Sequence, residues 1–148
     1  AGGIGVTAEF TVAVHALVYL HHRGGWLSSE ELAQNVCTNP ARIRKIMAKL
    51  KKAGLVQAHE GRVKGGYACV QRAPDISLDE VFAAVDDRVV KSAWRSGGPE
   101  MPCLIASGMA AVMDGLYDEL DALCRQKLAQ VTLGDVEKRL CLAGREDG

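Results

Sequence analysis

The stretch LSSEELAQNVCTNPARIRKIMAKLKKAGLV, residues 27–56, constrains the fold more tightly than any other part of the chain. Two helices are written into it. Ser28 stands three residues before Glu31, the spacing at which each side chain can bond the other's backbone N–H, while Leu27 and Leu32 occupy the two staple positions. In the second helix Asn39 serves as cap, Pro40 as a pre-organised first residue, and Gly54 as a left-handed stop. Between them Ile43, Ile46, Met47 and Leu50 fall at i, i+3, i+4 and i+7, which predicts one buried stripe. Arg42, Lys45, Lys49 and Lys52 then point the other way. Only Cys37, Thr38 and Asn39 separate the two helices, and so tight a turn predicts a helix-turn-helix.

Positive charge gathers in the same place. The chain carries eighteen Lys and Arg against eighteen Asp and Glu, so it is formally neutral. From Cys37 to Gly66, eight basic residues (Arg42, Arg44, Lys45, Lys49, Lys51, Lys52, Arg62 and Lys64) meet one acid, Glu60. That makes this window +7 and leaves −7 for the remainder. Asymmetry of this kind points to a polyanionic partner more than to a fold.

After Gly54 the period changes. LVQAHE and GYACV flank GRVKGG, which predicts a two-stranded hairpin whose tip carries Arg62 and Lys64, a basic wing. The capping pattern recurs as Ser77 with Glu80 and as Thr132 with Asp135, marking helix starts near 77 and 132. Between those two, DDRVVKSAWRSGGPEMPC reads as a mostly irregular connector. A long helix follows from about Cys103 to Gln130, where Met109, Met113, Leu116, Leu120 and Leu123 alternate spacings of four and three in a coiled-coil-like seam. Such a seam packs either on its own domain or on a copy of itself. The copy is preferred, because a long helix beside a small domain leaves too much apolar stripe uncovered. The expected architecture is mainly α with a small β wing: a winged helix-turn-helix domain over 7–85, a connector over 86–102, and dimerisation helices over 103–142. AGREDG at the end reads as a frayed tail.

At 148 residues, with 48% apolar and 24% charged residues, the composition is that of one soluble globular domain. The longest apolar run, Phe10 to Leu20, is too short to span a bilayer and reads as a core helix, so no membrane partner is expected. Five cysteines (Cys37, Cys69, Cys103, Cys124 and Cys141) form no C-x-x-C pair, which disfavours a disulfide scaffold or a metal site and points to a reducing cytoplasm. No phosphate-binding glycine loop, G-x-S-x-G or H-E-x-x-H is present, so no catalytic residues are expected and an enzyme is not indicated.

Taken in order, AVHALVYL, SSEELA, NPARIRKIMAKLKKAGLV, GRVKGGYACV and ISLDEVFAAV resemble the Rrf-two family of bacterial winged-helix transcription regulators, over about Thr7 to Leu142. TNPARIRKIMAKLKKAGLV and the lone MPC before the long helix look like its YwnA-like branch. The resemblance implies a homodimer that binds double-stranded DNA at an imperfectly palindromic operator, with repression the expected effect. Arg42 and Lys45 would reach base edges, Thr38 and Lys49 phosphate, with Asn39 and Arg44 beside them and Arg62 and Lys64 along the adjacent groove.

Family members that hold an iron-sulfur cluster do so with three cysteines near the start of the long helix. Here that region offers only Cys103, and His15, His21, His22 and His59 lie in other elements, so no cofactor is expected. Cys103 follows Pro102 in what reads as the first helical turn, where free amides favour a thiolate. Oxidation there, with Cys141 or Cys124 as a disulfide partner across the dimer, would shift the DNA-reading domains; an inert packing role is the alternative. Cys37, Cys69 and Cys124 read as structural, Trp26 as core beside the hairpin base, and Trp94 as core or pocket wall. Two other readings stay open: control by a small ligand held between connector and long helices, and a winged-helix module that binds protein. The cationic face of the second helix favours DNA over protein.

Overall fold

The computed structural model describes residues 3–4, 8–61, 65–85, 88–92 and 94–143. In chain order the elements are β1 (Gly3–Ile4), α1 (Ala8–Arg23), α2 (Ser29–Val36), α3 (Pro40–Lys52), β2 (Val56–His59), β3 (Gly66–Cys69), a 3-10 turn (Ala73–Asp75), α4 (Leu78–Val85), β4 (Val90–Lys91), α5 (Leu104–Ala129) and α6 (Leu133–Ala143). The chain is mostly helical, with a small antiparallel hairpin.

The core forms where the apolar stripes of α1 to α4 converge. Leu17, Leu20, Leu32, Ile43, Ile46, Met47 and Leu50 are fully buried, and Phe10 meets Phe82 edge to face with ring centroids 5.3 Å apart. Burial of a large aliphatic or aromatic side chain is worth about 1.5–3 kcal/mol, so this cluster fixes the helices against one another. The hairpin pairs Val56 with Cys69 and His59 with Gly66. Backbone bonds between Leu27 and Tyr67, at 2.9 and 2.8 Å, stitch it to the entry of α2. At Gly66, φ is +133° and a Cβ would stand 2.3 Å from the Leu27 carbonyl oxygen, so only glycine allows this approach. The expected wing tip, Arg62 and Lys64, lies outside the described residues, as does the tail after Ala143.

All three capping pairs read from the sequence close. Ser77 and Glu80 exchange bonds of 2.9 and 3.1 Å, Thr132 and Asp135 do so at 3.0 and 3.1 Å, and Ser28 and Glu31 form a full capping box. The connector contains a short strand that local pattern did not predict: Val90 and Lys91 pair antiparallel with Ile4 and Gly3. α6 folds back on α1 and the 3-10 turn, burying Leu133, with Leu133 N–H donating to Ile76 C=O at 2.9 Å.

Two tryptophan expectations are corrected. Trp26 is 46% exposed, edge-on to His59 at 6.0 Å and not core, and Trp94 is 79% exposed and not core. Cys103 is the cap residue of α5, one position before its first turn, and Cys37 is exposed at the helix-turn-helix corner.

Candidate nucleic-acid interface

Local chemistry fixes the presented helix at both ends. At its start Asn39 Oδ1 accepts from the Arg42 N–H at 2.8 Å, which commits that carboxamide oxygen to the cap. Before it, Cys37 takes φ +66°, the left-handed step that closes α2, and Thr38 N–H donates to Ala33 C=O at 2.9 Å. At its end Gly54, with φ +76°, donates to Lys51 C=O at 3.0 Å and Leu55 to Leu50 C=O at 2.9 Å, a Schellman stop. The angle between α2 and α3 is therefore set by backbone geometry as well as by packing.

The outward face of α3 is cationic, and three of its charges, those of Arg44, Lys45 and Lys49, have partners. On one flank Lys49 Nζ donates to Glu9 Oε2 at 2.8 Å, and Lys45 Nζ lies 3.5 Å from Glu9 Oε1. The Lys49 hydrogen bond, reinforced by the charges of Lys49 and Lys45, holds the Glu9 carboxyl below its ordinary pKa. On the other flank Arg44 Nη1 donates to Ser29 Oγ at 3.1 Å and stands 3.7 Å from Glu30 Oε1. Six of the sequence-predicted residues, Thr38, Asn39, Arg42, Arg44, Lys45 and Lys49, thus lie together on α3 or the turn before it. Glu9 was missed. It sits 40 residues from Lys49 in sequence, on a helix whose acid reads as ordinary first-turn charge.

A groove of about 1000 Å³ separates α3 from the hairpin, with Arg44 and Lys51 on one wall and His59, Glu60 and Tyr67 on the other. A smaller cleft of about 390 Å³ lies between the connector and α5, lined by Arg88, Arg95, Asp114, Tyr117 and Asp118.

Along α5 the two faces differ in kind. Asp118 accepts from Arg88 at 2.6 Å, Asp121 accepts from the N–H groups of Val89 and Val90 at 2.7 and 2.9 Å, and Asp114 and Arg125 pair with Arg95 and Asp79. This polar edge ties the helix to its own chain. On the other side Met109, Leu116, Leu120 and Leu123 are exposed and Met113 is half-buried, and no residue of α5 is fully buried. Cys103, Cys124 and Cys141 are free thiols. The backbone N–H of Ala106, then that of Ile105, lowers the pKa of exposed Cys103.

A two-helix reader with a cationic outer face, braced by a hairpin, defines the class: a winged-helix DNA-binding transcription regulator. The Rrf2 family profile, described as "Iron-dependent Transcriptional regulator", matches residues 6–139. YwnA of Bacillus subtilis (strain 168), a candidate HTH-type transcriptional regulator, is 29% identical over 138 residues, covering 91% of this chain and 98% of its own. The HTH-type transcriptional regulator IscR of Photobacterium profundum is 28% identical over 133 residues, 88% of this chain and 74% of its own. The crystal structure of a candidate transcriptional regulator from Lactobacillus plantarum matches with a TM-score of 0.79 at 26% identity, covering 92% of this chain and 91% of that one. The chain belongs to the Rrf2 family. Family and fold are those of transcription regulators and not of enzymes.

The family description raises an iron group, and the described residues do not offer the donor set for one. Cys103 stands alone at the start of α5, and among the described residues no group of three or more His, Cys, Asp or Glu is placed to hold a metal ion. Among the described residues no helix is long and apolar enough to cross a membrane.

Proposed function

We propose that the chain acts in the cytoplasm as a homodimeric repressor that lays α3 of each copy into successive major grooves of an imperfectly palindromic operator. The observation that carries this reading is the cationic outer face of α3 over a fully buried apolar back. Arg42 and Lys45 reach base edges, where one bidentate contact is worth about 1–3 kcal/mol of discrimination. Thr38, Lys49 and Arg44 hold phosphate, as does the Asn39 carboxamide nitrogen, its oxygen being engaged in the cap. Arg62 and Lys64, in the segment that joins β2 to β3 along the chain, complete the grip. Residues 7–85 form the DNA-reading unit and 86–102 the connector. Within 103–142, α5 makes the dimer contact while α6 docks on α1 of its own chain.

The exposed apolar stripe supports pairing through α5, because its other edge is already used by polar contacts. The signal enters at Cys103. Peroxide converts its thiolate to a sulfenic acid, and Cys141 or Cys124 of the second copy attacks that sulfur, releasing water and leaving a disulfide. A second reading, control by a small ligand, is supported by the cleft between connector and α5.

Footprinting on the upstream region of its own gene, in reductant and in peroxide, tests these roles together. Protection should cover two related half-sites in reductant and weaken in peroxide, with Cys103→Ser removing the difference. Arg42→Ala with Lys45→Ala should weaken operator binding by at least about 30-fold, the loss of two base-reading contacts, while leaving the helical circular dichroism intact. Unchanged affinity in that variant removes α3 as the reading element.

A further inference from the structure

Resting on the DNA-binding role of α3, we infer that Glu9 is a built-in stand-in for a DNA phosphate: it occupies Lys45 and Lys49 in the free protein, and on binding a backbone phosphate takes its place on Lys49 while Lys45 is released toward the base edges. Its two carboxylate oxygens are divided between the two ammonium groups, Oε2 at 2.8 Å from Lys49 and Oε1 at 3.5 Å from Lys45. The carboxylate oxygen on Lys49 stands where a free oxygen of a phosphodiester can accept the same charge-assisted hydrogen bond.

The lysines differ in exposure, and the difference supports exchange. Lys45 is 68% exposed and Lys49 37%, so both ammonium groups can be approached from solvent without unfolding α1 or α3. Glu9 lies in the first turn of α1, where the helix N-terminus also favours its charge. A released Glu9 therefore keeps a stabilising environment. The lowered carboxyl pKa, caused first by the Lys49 hydrogen bond, agrees with an acid that stays ionised throughout.

The consequence is a restraint on sequence-independent binding. Every duplex presents phosphates, so any duplex must compete with Glu9 for the two lysines before these contribute. Partly exposed ion pairs are weak, and two such pairs together hold affinity down by about fivefold. Since phosphate contacts carry no sequence information, the restraint falls on random DNA as much as on the operator. The grip on every duplex is thereby loosened, while the ratio of operator to random affinity is unchanged.

The test uses the full chain and a fluorescent duplex of random sequence, with anisotropy read across a salt series. Glu9→Gln should tighten binding by about fivefold at physiological salt, and the gain should shrink as salt screens the ion pairs that Glu9 makes in the wild type. Glu9→Asp, which keeps the charge, should stay within about twofold of wild type in both readouts. In a Lys45→Gln, Lys49→Gln background the Glu9→Gln gain should vanish. Unchanged or weaker binding by Glu9→Gln overturns the inference alone, as does a gain that persists without the two lysines, which would mark a general charge effect. A wild-type chain with no salt-sensitive grip on any duplex overturns the DNA-binding role of α3, and this inference falls with it.

Discussion

Cys103 and Cys69 show how far one side chain can be moved by its surroundings. Burial in the hairpin, helped by the nearby negative charge of Glu137, pushes the Cys69 thiol up to about 11. Exposed Cys103 faces the free N–H groups of Ala106 and Ile105 and is lowered instead. Near neutral pH Cys69 is therefore a thiol, and Cys103 carries the larger thiolate fraction, the form that reacts. Iodoacetamide at about pH 7.5, followed by peptide mass spectrometry, should label Cys103 at least about tenfold faster than Cys69. The opposite order would remove Cys103 as a sensing thiol. The sequence could suggest the surroundings of Cys103, since a cysteine after proline at a helix start is a local feature. It could not supply Glu137 to Cys69, because that acid lies on α6, far from β3 along the chain.

At the scale of elements, α5 is a helix divided lengthwise. Its Asp114, Asp118, Asp121 and Arg125 edge holds the connector and α4, and its leucine and methionine edge meets solvent in the single chain. Leu116→Glu with Leu120→Glu should convert the proposed dimer to monomer by sedimentation, because two charges would be buried unpaired, while the helical signal persists. If mass is unchanged, pairing does not run through this stripe. The same helix marks where sequence reading stops. Helix starts at 28, 77 and 132 were legible because each depends on two residues three apart, and the buried stripe of α3 was legible from its period. The acid edge of α5, the Glu9 bridge and the pairing of Gly3–Ile4 with Val90–Lys91 were not. Each joins residues far apart in the chain, and in a charged residue nothing local distinguishes a solvated side chain from a paired one. Trp26 and Trp94 failed for the converse reason, since large aromatic character predicts burial only on average.

For the whole molecule, acid is the condition that tests its electrostatics. Glu9 and Glu80 are held below their ordinary 4.5 by Lys49 and Arg72 respectively, and Asp135 below 3.8 by the Thr132 backbone N–H. In each case the unfolded chain takes up the proton first as pH falls, so folding loses these contributions going down and keeps them above. The urea midpoint should be level above about pH 5 and decline below about 4.5; a midpoint that rises on acidification would contradict these pairings. One last consequence comes from Gly66, whose bare backbone lets the hairpin lie against Leu27. Because that junction welds β2 and β3 to the start of α2, the two strands and the helix-turn-helix are held as one body. Little conformational freedom is left to surrender on contact, so the entropic toll of docking is largely met during folding.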